Sequence, residues 1–429
     1  LKQLFSRGST LLSGTGMAMG ASFLQTLLLA RGLGPNDFGI LAGVQAFCAV
    51  FATLLAFRTS EPLTRYLVEY QKTNPSLVKT LLGTAILVDM VTQCTAVLLI
   101  LFFAPWVAEY LPGGFKALEL YFLVGISLLR TLFDHTWFSV ARDQAKYRTI
   151  AVLSAFFSII RTFFVAVLAF FGYLTLYNVA ISMMFLGIFQ MGVTGFFLQR
   201  AITLGYKIPM CDIFSKNLLE CQNKLAPFWS FMQATFLWSV FGTLAKEGDV
   251  LILSTLRPAE EVGAYRLAKS LVGTIQQVAD LLAQVIYQDF SAWVVEKNRS
   301  RLQKNFRLLS RRWVPAVATV TFLAFFLANP LILGIFGHAY VLSAEIFSIL
   351  LVGVGIATML FWVRPLALAF EMHWYNLQVV LWGNLSFAIL DWAGIQFLGV
   401  TGAAWTFALL TVSGPLALLV PILNRIRKI

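Results

Sequence analysis

The stretch LLLARGLGPNDFGI, Leu27 to Ile40, decides how this chain is read. An apolar run stops at Arg31, and Gly32, Gly34, Pro35, Asn36, Asp37 and Gly39 follow at once. A phosphate-cradling glycine loop needs a strand before it and a helix N-terminus after it, in an α/β unit. Here the preceding element is an apolar run at 9–30, and a bilayer crossing takes about 20 such residues. The stretch is therefore a corner between two membrane spans. Gly32, Gly34 and Pro35 end the first span, as glycine and proline do at helix C-termini. Asn36 or Asp37 caps the second.

Composition extends that reading to the whole chain. Of 429 residues, 59% are hydrophobic and 12% charged, against roughly 45–50% and about 25% in soluble domains. The expected class is an all-α polytopic membrane protein, since segments of alternating polarity, the mark of a β-barrel, are not found. Twelve spans are expected, near 9–30, 38–58, 78–103, 118–139, 150–171, 176–198, 228–255, 263–290, 313–335, 344–370, 374–397 and 402–423. With the ends and every second connection on one side, that side holds 24 of the 32 Lys and Arg residues and the other holds 3. Both termini are then cytoplasmic by the positive-inside rule. The net charge of +12 is accounted for by this asymmetry, so no nucleic-acid partner is expected. The connection 291–312 carries Leu302, Phe306, Leu309 and Trp313 on one helical face with basic residues opposite, an interfacial pattern.

Other chemistries find little support. Cys48 and Cys94 fall in apolar runs, and Cys211 and Cys221 lack CxxC spacing, so neither a disulfide nor a metal site is expected. His135, His338 and His373 are scattered. The first apolar run is too long, and too uncharged at its start, for a cleaved signal peptide. The outer loops are short, which leaves no room for an extramembrane catalytic domain. A membrane glycosyltransferase or polymerase is thus the least supported reading.

The opening stretch has an echo. LGPNDFG (Leu33–Gly39) matches LRPAEEVG (Leu256–Gly263) with one residue inserted, and each opens the span that follows. Glu61 falls opposite Gln284 at the same offset. Two six-span halves are expected, 1–199 and 228–429, joined by a cytoplasmic linker at 200–227. Repeated halves are common in secondary transporters, with the substrate site between them.

These residues also carry a family resemblance. LLLARGLGPNDFG, SEPLTRY after span two, APFW entering span seven and DVLILSTLRPAEEVGAYRLAKSL resemble the polysaccharide-export flippases. Those belong to the multidrug/oligosaccharidyl-lipid/polysaccharide exporter superfamily. The resemblance spans essentially the whole chain, on soft turn motifs that identify fold better than substrate. It implies two six-helix lobes around a central cavity and alternating access in a bacterial cytoplasmic membrane. It implies movement of undecaprenyl-pyrophosphate-linked oligosaccharide to the outer leaflet, no enzymatic activity, and work beside a polysaccharide polymerase and other export components. The alternative in the same superfamily is a cation-coupled multidrug antiporter, which predicts an acid-dominated cavity.

Charges within spans are expensive and mark cavities or pairs. In span eight, Arg266, Lys269, Gly273, Gln276, Gln277, Asp280 and Gln284 lie on one helical stripe, and in span seven so do Thr235, Ser239, Gly242, Lys246 and Asp249. A water-filled cavity and a set of structural ion pairs both account for them, and Lys246 is spaced to pair with Asp249. In the first half, Ser13, Gly16 and Gly20 form a small-residue face. Arg130 and Asp134 are i,i+4 neighbours. Arg161 has no acid at i±3 or i±4, which makes it the best first-half candidate for an anion. A guanidinium suits phosphate because it binds bidentately and keeps its charge. The candidate substrate cations are Arg161, Lys246, Arg266, Lys269 and Arg130, with Arg31 at an outer interface or cavity mouth. Asp89, Asp249 and Asp280 are the acids for Na+ or H+ coupling or for charge balance. No other cofactor is expected.

Overall fold

Without water, a chain must satisfy its backbone polar groups internally, and a helix does so within one segment. The computed structural model, which describes residues 2–55, 57, 59–111, 113–209, 213, 225–295, 309–370 and 372–428, is helical throughout its regular structure. The first helix, α1 (Lys2–Leu55), joins the two spans of the opening stretch across a kink at Gly34. Gly34 has φ 76° and ψ 169°, a left-handed backbone that disfavours side chains, and Pro35 removes the next amide donor. The corner expected there is thus a sharp break between two helical stretches.

The chain continues as α2 (Ser60–Thr73), α3 (Pro75–Tyr110), α4 (Leu118–Ser127), α5 (Asp134–Asp143), α6 (Tyr147–Phe170) and α7 (Leu176–Gly205). After the inter-half connection come α8 (Ala226–Leu256), α9 (Ala259–Val295), α10 (Val314–Phe336), α11 (Val341–Met359), α12 (Val363–Ala369), α13 (His373–Leu398) and α14 (Val400–Lys428). Among the described residues, seven helical stretches are long and apolar enough to cross a membrane by length and composition. One of them merges expected spans one and two. Of the other expected spans, the fourth is broken into α4 and α5, and polar residues dilute the hydropathy of the seventh, eighth and eleventh. Those three helices, α8, α9 and α13, run 31, 37 and 26 residues, ample for a crossing. Phe163, Phe185, Phe326, Trp382 and Phe397 stand exposed, as side chains do when the solvent is lipid.

Contacts gather into two compact units: Leu1–Gly32 with Gly43–Glu247, and Leu33–Ala42 with Gly248–Ile429. Half of the linker, 210–212 and 214–224, lies outside the described residues, with Cys211 and Cys221, as does 296–308 of the interfacial pattern. Cys48 and Cys94 are free thiols.

In the first unit, α2 is an amphipathic helix that buries Leu63, Tyr66, Leu67 and Tyr70 against Leu81, Leu82, Val140, Leu198 and Phe228. At its inner edge Gln71 Nε2 and the Tyr206 hydroxyl donate to Asp143 at 2.6 and 2.5 Å. Burial and that carboxylate hold the Tyr206 phenol above its usual range, which keeps it a donor. A Cβ at Gly16 or Gly20 meets nothing within 4 Å.

In the second unit, α11 packs on α9, α10 and α14. Its most telling contact is between the two copies of the repeated corner. A Cβ on Gly39 would collide with the Ala259 carbonyl and the Gly263 amide, and a Cβ on Gly263 with the Pro35 carbonyl and the Gly39 amide. Small residues thus let two backbones cross in direct contact. Arg257, in the second copy, donates from Nη2 at 2.6 Å to the Ile395 carbonyl in the last turn of α13, which also accepts from the Gly399 amide.

The crossing predicts a sharp asymmetry among glycines. Gly39→Val or Gly263→Val should destabilise the purified protein by about 1–3 kcal/mol, as overpacking does. Gly414→Ala, where the added carbon meets nothing within 4 Å, should leave the melting temperature unchanged. Thermal unfolding in detergent reads both.

Candidate functional site

Three cavities stand out, and charge separates them. A groove of about 570 Å³ lies between α13 and α14 and one of about 510 Å³ between α6 and α7. No charged residue lines either. A smaller cavity of about 170 Å³ in the first unit is lined by Ser158, Arg161, Gln190, Thr194, Asp134 and Ser154, among others.

A broken span builds that cavity. Between α4 and α5 the backbone tightens into a 3₁₀ turn, Leu128–Thr131, with neither glycine nor proline to force it. The cause is competition for one carbonyl. Gln93 Nε2 from α3 donates to the Leu128 carbonyl at 3.0 Å, and the Thr131 hydroxyl donates to it at 2.9 Å. The Leu132 amide, which would bond there in an α-helix, goes to Leu129 instead. The chain then restarts at α5 with Asp134 in its first turn.

Asp89 secures the restart. It is buried, and its Oδ2 accepts from the Thr136 amide (3.2 Å) and hydroxyl (2.6 Å), while Oδ1 accepts from the Thr59 hydroxyl (2.7 Å). A carboxylate at a helix N-terminus satisfies orphan amides and meets the positive end of the dipole. Asp89 thereby ties α3, α5 and the α1–α2 link together.

On the cavity wall, Arg161 Nη1 donates to Gln190 Oε1 and Nη2 to the Ser158 hydroxyl, each at 3.3 Å. Gln190 Nε2 donates in turn to Asp134 Oδ2 at 3.4 Å. Arg161 thus reaches an acid through an amide relay. Arg130, on the 3₁₀ turn, lies within electrostatic reach of both Asp134 and Arg161. Arg161 thus stands on the cavity wall, and Arg130, though not on that wall, acts on it from the 3₁₀ turn.

The second unit holds a different cluster. Asp249 on α8 is fully buried, and Lys269 Nζ from α9 donates to its two oxygens at 2.6 and 2.5 Å. The buried Tyr265 hydroxyl donates to Oδ2 at 2.6 Å, and the Val250 amide to Oδ1 at 2.7 Å. The Phe407 ring centroid lies 4.9 Å from the ammonium. Asp391 on α13 is fully buried within electrostatic reach of Asp249 and Lys269, and neither of its oxygens has a hydrogen-bond partner among the described residues.

The candidate residues thus separate. Arg130 and Arg161 come together in the first unit, and Asp249 and Lys269 in the second. Lys246, Asp280 and Arg31 are exposed, and Arg266 is half-buried. Asp134, Gln190, Tyr265 and Asp391 belong to these clusters without having stood out as sites. The sequence does signal two of them: Gln190 in GIFQMGV and Asp391 in AILDWAG are lone polar residues in apolar runs.

A profile described as polysaccharide biosynthesis protein matches residues 6–291. The chain belongs to that family. Among curated proteins none matches the sequence significantly. Solved structures share its fold. The lipid II flippase MurJ in an inward closed conformation aligns with TM-score 0.74 and 14% identity, over 97% of this chain and 89% of that one. An inward-facing multidrug resistance MATE family transporter of the MOP superfamily aligns with TM-score 0.69 and 12% identity, over 98% of each chain. A MOP superfamily transporter from Pyrococcus furiosus, noted for reverse polarity of its binding pocket, aligns with TM-score 0.62 and 12% identity, over 98% and 96%. This family member is accordingly a multi-pass membrane protein with the MOP transporter fold.

Its buried ion pair is testable by double substitution. Lys269→Met should leave an unpaired carboxylate and cost about 3–5 kcal/mol, whereas adding Asp249→Leu should restore most of the loss. Unfolding in detergent measures both.

Proposed function

We propose that the protein is a flippase that moves undecaprenyl-pyrophosphate-linked oligosaccharide across a bacterial cytoplasmic membrane by alternating access. The observation that carries this reading is Arg161 on the wall of a cavity inside the first unit, with Arg130 within electrostatic reach of it. A pyrophosphate headgroup asks for guanidiniums that stay charged when desolvated and bind oxygens in pairs. Release asks that no single contact be too strong, and the relay through Gln190 supplies an alternative partner for Arg161 when the site is empty. The apolar grooves beside α7 and α14 suit a polyprenyl tail rather than a sugar, since they carry no charge. The product, a lipid-linked repeat unit on the outer leaflet, is what a polysaccharide polymerase consumes. An organic-cation antiporter fits less well, because its cavity calls for an excess of acids.

For coupling, a metal cation such as Na+ needs free oxygen ligands. Asp249 has its oxygens committed to Lys269, Tyr265 and the Val250 amide. We therefore assign the coupling ion, Na+ or H+, to Asp391, whose two oxygens no described residue bonds.

Proteoliposomes loaded with a fluorescent polyprenyl-pyrophosphate oligosaccharide test the reading. Wild type should expose the label to an outside quencher faster than empty vesicles. Arg161→Ala and Arg130→Ala should each slow this by about 10-fold or more, the scale of one charge-assisted hydrogen bond. Arg161→Lys should recover part of the rate. Wild-type exposure no faster than empty vesicles would refute the flippase.

A further inference from the structure

Charge inside a low-dielectric segment has to balance locally, because an uncompensated ion there is strongly disfavoured. Among the described residues, the cation on the wall of the 170 Å³ cavity is Arg161, from α6, and Arg130, from the 3₁₀ turn, lies within electrostatic reach of Asp134 on the same wall. The acids are Asp134 and, within electrostatic reach of it from α3, Asp89. α7 adds the neutral Gln190 and Thr194 to the described lining, and α1 adds Ala18. On α5 itself His135 is the neighbouring residue. Two guanidiniums and two carboxylates balance while the site is empty.

A dianionic phosphate group seated on the guanidiniums breaks that balance by two charges and sets its oxygens beside a carboxylate. Like charges at such separations repel strongly unless one is neutralised. The two acids are not equivalent. Asp89 accepts three hydrogen bonds, all from donors that favour the anion. Asp134 lines the cavity itself and is held by the 3.4 Å contact from Gln190, with Thr194 beside it. A neutral Asp134 would also turn from acceptor into donor and give its O–H to a phosphate oxygen.

We propose that Asp134 takes up one proton when an oxyanion binds Arg130 and Arg161, so that the phosphate headgroup and a proton enter the first unit together. The balance is simple: a carboxylate and a proton from water become a carboxyl group, and no bond of the substrate changes. This rests on the anion site of the proposed flippase and adds a substrate-linked proton to it. Gln190 is the positioning residue. Its Oε1 is released when Arg161 turns to the anion, and its amide is then free to follow Asp134.

The probe is sulfate, a dianion that does not itself titrate near neutral pH, so any proton taken up comes to the protein. Calorimetry of the intact protein in detergent, in two buffers of different ionisation enthalpy, counts protons per sulfate bound. Wild type should take up about one, and its sulfate affinity should fall by up to about 10-fold per pH unit as pH rises. Asp134→Asn should bind sulfate with neither uptake nor slope. Should that variant fail to fold, a wild-type count of zero still overturns the inference, and Asp89→Asn, which removes the other acid nearby, should keep the uptake, its loss there overturning the assignment to Asp134. Sulfate binding without uptake overturns the inference and leaves the flippase standing. Uptake that persists in Asp134→Asn assigns the proton to another acid and overturns it too. If neither sulfate nor inorganic pyrophosphate binds wild type, the anion site itself fails and the inference with it.

Discussion

The fold depends on a contact in which no side chain takes part. Gly39 and Gly263 bring the backbones of the two repeated corners together, each where the other's carbonyl or amide leaves no room for a carbon. Lipid offers no hydrophobic drive between helices, so close backbone approach and dispersion must hold them. The crossing explains why residues 33–42, though early in the chain, belong with the second unit. It also gives the break at Gly34–Pro35 its purpose. An unbroken helix would not deliver Gly39 to Ala259.

The buried acids show how one solvent imposes several solutions. Asp89 is satisfied by hydroxyls and an amide and acts as a helix cap. Asp249 is satisfied by an ammonium, a phenol and the Val250 amide. Asp134 is held loosely, through Gln190, between two guanidiniums. Asp391 has no hydrogen-bond partner among the described residues. The progression runs from firmly structural to chemically available.

Hydropathy was enough to set the class, since twenty apolar residues in a row have few other fates. The repeat was visible because turns draw on a small vocabulary of glycine, proline and short polar residues. The site was legible only in part. Arg161 stood out for lacking an acid within a turn, and the lone Gln190 and Asp391 were there to be noticed. The helical stripes of spans seven and eight were silent about partners. Periodicity placed Lys246 near Asp249, whereas the ion in contact with Asp249 comes from Lys269 on the next helix.

The sequence by itself determined that this is a polytopic helical membrane protein with a duplicated corner, because bilayer thickness and backbone satisfaction act on local composition. Only the tertiary structure decided what each charge does. Pairing in a low dielectric is set by distances between helices, and no periodicity within one helix encodes them. The same physics placed the break in span four: a glutamine from a neighbouring helix claims one carbonyl, and the chain turns where its own residues propose nothing unusual.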